Sequence, residues 1–175
     1  MMRALGLSRH RRARVWLGEL PNAEYLPTDF IRRVVSVGSA SPPAGRVAAI
    51  ELMVPHGPNA SYGLLGAELL ESGRTDGELS VAVSGTGLPM LESLAAMPDD
   101  VRIGLPNEYA NAVVSGVERV VNAGWRFEGE LTFRWAAHAA VGSSSAFFAE
   151  LAALVAGLLA KRSPPSEDEL YAMFS

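Results

Sequence analysis

The sequence predicts an α+β domain, a two-layer sandwich in which a mostly antiparallel sheet of four or five strands carries two helices on one face. A stretch with helical periodicity, residues 105–122, and an almost wholly apolar stretch, residues 143–161, flank a strictly alternating stretch at 125–135. Apolar and alternating runs earlier in the chain supply the other strands. With 175 residues and 49% hydrophobic content, the chain is large enough to bury a core of this kind.

Residues 105–122 are predicted to form the first helix. Their apolar side chains recur at i, i+3, i+4 and i+7, the spacing that lines one face of a helix. Pro106 suits the first turn, where its missing N–H costs nothing, and Gly124 suits the end of the helix. Residues 125–135 then alternate between apolar and polar side chains, which predicts a strand with one buried face.

The second helix is predicted over residues 143–161. Its sequence is apolar on almost every side, with Glu150 as the only charge before Lys161. This pattern is typical of a central helix that is buried between a sheet and its neighbours. The alternative is a surface through which two copies of the chain form a homodimer. The segment is too short and too rich in Ala and Gly for a membrane span, so no membrane partner is expected.

Four earlier segments are predicted to supply the remaining strands. Residues 47–54 are a nearly continuous apolar run, which is typical of a strand covered on both faces. Residues 62–70 and 78–84 flank a glycine-containing loop and therefore predict a hairpin. Residues 30–37 have the composition of a further strand, and residues 88–97 predict a short helix.

One hydrophobic core should hold these elements together. The apolar faces of both helices and of the strand between them have to meet the sheet. We therefore expect eight side chains to be buried together: Tyr109, Val113, Val117, Phe127, Phe133, Phe148, Leu151 and Leu158.

The composition divides the chain into three parts. Residues 1–45 are a basic arm followed by an irregular segment, residues 46–162 form the α+β domain, and residues 163–175 form an acidic tail. The tail is expected to dock on its own domain or to fray, with folding against a partner as the alternative. The arm is either a solvated terminus or a contact for RNA or phosphate, through four basic side chains: Arg9, Arg11, Arg12 and Arg14.

Several classes of function are excluded or disfavoured by composition. The chain has no cysteine, which excludes disulfides and thiolate metal sites and is compatible with a cytoplasmic location. Its three histidines lack the spacing of metal ligands, so we expect neither a metal nor another cofactor. The Gly-x-x-x-x-Gly-Lys-Ser/Thr motif is absent, so GTP binding is not expected. The net charge of −4 gives no general attraction to nucleic acid.

Residues 104–109 read Gly-Leu-Pro-Asn-Glu-Tyr, and an Ala-Val pair at 112–113 and Gly116 follow them. This pattern resembles the helix that opens the second half of domain IV of translation elongation factor G. The strand after it, and then Val-Gly-Ser-Ser at 141–144 with Phe148 beyond, resemble the last strand, tip loop and final helix of that domain. The resemblance covers residues 104–160. It implies a left-handed β-α-β crossover, opposite to the usual hand, and a stand-alone domain that lacks the GTPase part.

The resemblance also implies a binding function at the tip of the domain. The tip would be formed by a turn over residues 134–142 together with the turn before Tyr62, and its partner would be the ribosome or RNA. A non-enzymatic binding domain is therefore expected. The candidate contacts are Arg134, His138, Tyr62 and His56.

The start of the second helix offers a different function. A Gly-Ser-rich turn that opens a helix presents free N–H groups, which suit the phosphate of a small molecule, and it is similar to the loop of galactokinase-type enzymes. Alternatively, Ser143 is only the N-cap of the helix. A third alternative is a protein-interaction or oligomeric module. The residues of the candidate anion site are Gly142, Ser143, Ser144 and Ser145.

Overall fold

The computed structural model of the protein describes residues 1–37, 46–95 and 100–175. In these ranges, eight strands form one sheet. They are β1 (Met2–Gly6), β2 (Arg12–Leu17), β3 (Asp29–Val37), β4 (Arg46–His56), β5 (Asn59–Leu70), β6 (Asp76–Val83), β7 (Val101–Ile103) and β8 (Gly129–Ala139). The helices are α1 (Asn107–Asn122), α2 (Ser145–Ala160) and α3 (Glu167–Met173), and Ser8–His10 form a tight turn in which Arg9 and His10 have positive φ.

The strands follow the order β1-β2-β4-β5-β8-β6-β3, and β7 also pairs with β8. All pairs are antiparallel except β6 and β8, which are parallel and are connected through β7 and α1. The prediction of an α+β protein with a mostly antiparallel sheet is thus confirmed. The sheet has eight strands rather than four or five, because residues 2–17 contribute β1 and β2 where a basic arm and the start of an irregular segment were expected, and residues 101–103 add β7. Strand β3 corresponds to the strand predicted at residues 30–37.

Three separate segments share one edge of β8. Strand β6 pairs with residues 129–133, residues 23–25 bond to the next part of the strand, and β7 pairs with residues 137–139. Strand β5 occupies the opposite edge. These partners explain why β8 continues to Ala139, whereas the alternating pattern predicted a strand that ends at residue 135.

Both long helices pack against each other and against the same face of the sheet. Seven of the eight predicted core side chains are at most 5% exposed, and the eighth, Tyr109, is half-buried against the same cluster. The predicted common core is therefore confirmed. Helix α2 is buried along most of its length, as its apolar sequence predicted. Within the described ranges, no helix combines the length and apolar character that a membrane span requires.

The opposite face of the sheet is covered by two segments, residues 18–25 and residues 84–95. We call the second segment, residues 84–95, the strap. Side chains from both segments pack there: Leu20, Met90 and Leu94. Strand β4 is consequently covered on both faces, as its continuous apolar run predicted. The prediction of a short helix at residues 88–97 is wrong for residues 88–95, which are not helical. Pro89 instead forms an isolated β-bridge with Arg102. Residues 96 and 97 lie outside the described residues.

Strand β8 begins four residues later than predicted. Gly129 has a φ of +111°, a conformation that L side chains rarely adopt, and it marks the true start of the strand. Phe127 is fully buried, and its ring centroid lies 4.7 Å from that of Trp125. The alternation at residues 125–128 thus reflects burial of a connecting segment instead of strand pairing.

The acidic tail forms α3 and packs on the domain. Ser166 and Glu169 make a capping box, and Lys161 Nζ lies 3.2 Å from Glu169 Oε1. The hydrogen bond from the Ser166 backbone N–H lowers the pKa of the Glu169 carboxyl, and the hydrogen bond and positive charge of Lys161 lower it further. Leu170 and Phe174 are buried in the same core as the long helices. The tail therefore docks on its own domain.

Helices α1 and α2 pack closely together at Gly116. A Cβ at this position would lie 2.2 Å from the Ala149 carbonyl oxygen, so the helices would have to separate. We expect Gly116→Ala to lower the free energy of unfolding by about 2 kcal/mol, measured by urea denaturation. Gly157→Ala is the matched control, because nothing lies within 4 Å of the added Cβ. The control should stabilise the protein by about 0.5–1 kcal/mol, and equal effects of the two variants would contradict the close packing.

Candidate functional site

Three turns meet at one end of the sheet, which we call the tip end: residues 7–11, 56–59 and 140–144. The pairing registers place them there. Arg12, which follows the first turn, pairs with Met53 near the end of β4. His56 and Asn59 close the hairpin between β4 and β5. The third turn follows Ala139, the last residue of β8.

Both long helices also begin at the tip end. The hydroxyl of Tyr109, in the first turn of α1, donates a hydrogen bond of 3.2 Å to the carbonyl oxygen of Ser143, just before α2. The positive ends of two helix dipoles therefore lie side by side. Burial raises the pKa of the Tyr109 hydroxyl, and the nearby negative charge of Glu108 raises it further.

The turn before α2 is bonded directly to β5. Tyr62 N–H donates to Gly142 O at 2.9 Å. The Ser143 hydroxyl donates to Tyr62 O at 2.7 Å and accepts from Ala139 N–H at 2.8 Å. The structure thus brings the Tyr62 region and this turn together, as the sequence analysis expected. The Ser143 hydroxyl therefore uses its donor and an acceptor site for hydrogen bonds within the protein, and these two bonds hold the turn in place.

The N-cap of α2 is Ser144, and the prediction that Ser143 has this role is wrong. The Ser144 hydroxyl accepts a hydrogen bond of 3.2 Å from Phe147 N–H, and Ser145 is the first helical residue. Two of the three serines therefore satisfy the turn and the helix start themselves. Their arrangement gives no further support to a phosphate site at the Gly142–Ser145 segment, which stays a prediction.

Arg134 and His138 lie on β8, although the sequence analysis placed both in an exposed turn. Arg134 Nε is 3.3 Å from Glu24 Oε1. His138 is only 7% exposed, and its Nδ1 lies 3.0 Å from Gly104 O. The turn is shorter than predicted because residues 23–25 and β7 extend the pairing of β8. A direct contact between His138 and a large ligand is therefore inconsistent with its burial.

Tyr62 is also fully buried, whereas His56 remains at the surface. The Tyr62 hydroxyl donates a hydrogen bond of 2.6 Å to Glu51 Oε2, on the face of the sheet that the strap covers. His56 Nε2 lies 2.8 Å from the Ser61 hydroxyl. Of the four predicted tip contacts, His56 is the one whose side chain reaches the surface of the tip end.

The four arginines of the predicted arm have separate environments. Arg14 is paired with Glu51 at 2.6 Å, and Arg11 bonds to Ser8 and to Phe174 O. Arg9 and Arg12 are exposed, and in the described part of the chain no side-chain hydrogen bond or ion pair involves either of them. Two free guanidinium groups thus lie at or beside the first turn of the tip end.

A cleft of about 640 Å³ opens between the first turn and the end of β4. Basic and polar side chains line much of it: Ser8, Arg9, Arg11 and His56. Val54, Pro55 and Ser175 complete the lining. The cleft brings the predicted arm and the predicted hairpin contact into one place, which sequence reasoning did not anticipate because they are far apart in the chain.

Glu51 is a further buried group that the sequence analysis missed. It is fully buried, and besides Arg14 and Tyr62 it accepts a hydrogen bond of 3.3 Å from Leu94 N–H in the strap. Arg14 also donates to the carbonyl oxygen of Glu92. The signal that could have revealed this network is the single acidic residue within the apolar run of β4, since a buried carboxylate needs partners.

No family model, curated protein or solved structure matches this chain. The candidate site is therefore defined by its geometry. Unpaired cationic side chains and two helix N-termini at one end of a sheet favour a negatively charged ligand.

Proposed function

We propose that the protein is a non-enzymatic domain that binds RNA, free or within the ribosome, through its tip end. The observation that carries the proposal is that Arg9, Arg12 and His56 lie at the same end of the sheet as the starts of α1 and α2. Arginine and histidine supply donors for phosphate oxygens, and helix N-termini favour the same negative charge.

The local charge at the tip end supports this function despite the net charge of −4. Arg74, Arg102 and Arg119 are each paired with a carboxylate, at distances of 2.7, 3.1 and 2.7 Å. Arg9 and Arg12 have no such partner among the described residues. An unpaired guanidinium loses no internal ion pair when it binds a phosphate. Arg32 and Arg162 also lack a carboxylate partner among the described residues, but the tip end combines its two unpaired arginines with His56 and two helix starts, which favours it as the place for an RNA backbone.

The proposal includes a fold like that of domain IV of elongation factor G, with a left-handed connection between β6 and β8. The order β4, β5, β6, α1, β8, α2 and the parallel pairing of β6 with β8 support it. In this proposal the contact surface shifts from Arg134 and His138 to the turn at residues 7–11 and the hairpin at residues 56–59.

Two alternatives stay predictions. A phosphate-bearing small molecule at residues 142–145 would have to bind without the Ser143 hydroxyl, which is already bonded to β5. A homodimer through residues 143–161 would have to use the half-buried side of α2, because eight of its residues are buried within one copy. No described contact favours either alternative over the tip end.

The test compares a double variant at the tip end with a charge-matched control. Arg9→Ala combined with Arg12→Ala should weaken binding to purified ribosomes or a structured ribosomal RNA fragment about tenfold or more. The logarithm of the association constant decreases with the logarithm of the salt concentration, and the magnitude of this slope should be smaller by about 2 in the variant, one for each phosphate that it no longer binds. Both side chains are exposed, so the melting temperature should change little.

The control combines Arg32→Ala with Arg162→Ala, which removes the same charge at exposed positions away from the tip end, where neither side chain has a carboxylate partner in the described structure. It should bind like the unmodified protein. Equal losses in the two double variants would mean that binding follows net charge alone. If the unmodified protein has no affinity for ribosomes or RNA at low salt, the proposed function is wrong.

A further inference from the structure

Building on the proposed RNA contact, we infer that the cleft between the turn at residues 7–11 and the end of β4 binds a phosphomonoester, the terminal phosphate of an RNA strand or of a nucleotide. The cleft has a volume of about 640 Å³, within the range of small-molecule sites. Its basic side chains come from two segments, Arg9 and Arg11 from the turn and His56 from β4.

Arg11 provides a fixed positive charge that forms no ion pair in the described structure. Its Nε and Nη2 donate to the carbonyl and hydroxyl oxygens of Ser8, at 3.1 and 3.0 Å. Its Nη1 donates to Phe174 O at 2.5 Å. All three acceptors are uncharged oxygens. A guanidinium has five N–H groups, so two remain for a ligand while the other three hold the side chain in place.

Arg9 adds a second guanidinium without a partner in the described residues. It and His10 occupy the centre of the turn with φ of +58° and +59°. Hairpin turns with two positive φ values favour Asn-Gly, so an arginine here is not explained by the turn geometry alone. His56 contributes an imidazole from the other side of the cleft, and its Nε2 lies 2.8 Å from the Ser61 hydroxyl.

The donors that line the cleft fit a terminal phosphate better than an internal one. A phosphomonoester carries nearly two negative charges at pH 7 and has three free oxygens, whereas a phosphodiester carries one charge. Arg9 and Arg11 supply two planar guanidinium groups, which bind phosphate oxygens in pairs, and they outnumber the one carboxylate among the described lining residues, that of Ser175. Arg12 lies beside the cleft without lining it, so it serves the RNA backbone only.

The test uses single-stranded RNA oligonucleotides of one sequence, with hydroxyl ends, a 5′-phosphate or a 3′-phosphate, in fluorescence anisotropy with the full chain. One of the phosphorylated strands should bind roughly tenfold tighter than the strand with hydroxyl ends. Arg9→Ala should remove this preference. Arg12→Ala is the matched control and should weaken all strands by the same factor, so that the preference persists. AMP and inorganic phosphate are tested separately as ligands by NMR chemical shifts of His56.

The outcomes separate this inference from the proposed function. Equal binding of all three strands, with weaker binding in the Arg9 and Arg12 variants alike, overturns the cleft assignment and leaves the RNA proposal intact. If AMP shifts the His56 signals but no strand binds, the cleft is a nucleotide site and the RNA proposal is wrong. If neither the strands nor AMP nor phosphate binds, both are wrong.

Discussion

Replacing Glu51 by alanine should lower the free energy of unfolding by about 3–5 kcal/mol, measured by chemical denaturation. The carboxylate is fully buried and holds Arg14, Tyr62 and the strap together. Its removal leaves the mostly buried guanidinium of Arg14 and the buried hydroxyl of Tyr62 without their acceptor. The penalty comes from these unpaired groups more than from the missing attraction itself.

Two companion variants make the Glu51 result specific. Glu51→Gln keeps an oxygen that can accept from Tyr62 or Leu94 but loses the charge opposite Arg14. Its free energy of unfolding should therefore lie between that of Glu51→Ala and that of the unmodified protein. Glu92→Ala removes an exposed carboxylate from the strap and should change stability by less than about 0.5 kcal/mol. If Glu51→Ala is as stable as Glu92→Ala, the buried network does not hold the strap.

Phe148→Ala should cost about 3–5 kcal/mol of stability, through reduced burial and the cavity that remains. The ring is fully buried and stacks on Tyr109, with centroids 4.8 Å apart and planes 14° from parallel. It lies where the start of α2 meets α1 and β5. A Cβ on Gly63 of β5 would lie 3.3 Å from its Cζ, so there is little room for neighbours to rearrange.

Phe147→Ala is the matched control for Phe148, because it removes the same side chain from the preceding residue, which is half-buried. Its effect should be less than half that of Phe148→Ala, as less area returns to water. Thermal and urea unfolding of both variants would measure the difference. A larger effect for Phe147 would mean that α2 is rotated relative to the core described above.

Elements with a clear local pattern were predictable from the sequence. The period of apolar residues identified α1, the long apolar stretch identified α2, and the unbroken apolar run of β4 predicted cover on both faces. Seven buried core residues followed from the same patterns, since periodicity reports which side of an element avoids water. The strand before α2 was also found, but its bounds depended on partners that lie elsewhere in the chain.

What sequence reasoning missed depends on contacts between distant residues. His138 is buried because β7 and residues 23–25 extend the ladder of β8, and no local pattern reports such pairing. Glu51 in an apolar run implies a partner, but its neighbours in sequence do not identify Arg14, 37 positions away. The basic arm was recognised as charged, but its place at the tip end follows from the pairing of β2 with β4.

The shared edge of β8 has a consequence for the order of folding. Its hydrogen bonds are complete only when residues near positions 24, 79 and 102 have all arrived, so most of the chain must be in place before this strand is protected. Contacts of such long sequence separation slow folding, because the chain loses the entropy of loop closure before these contacts contribute any stabilisation. The amide hydrogens in the middle of β8 should therefore exchange with solvent only when the whole protein unfolds.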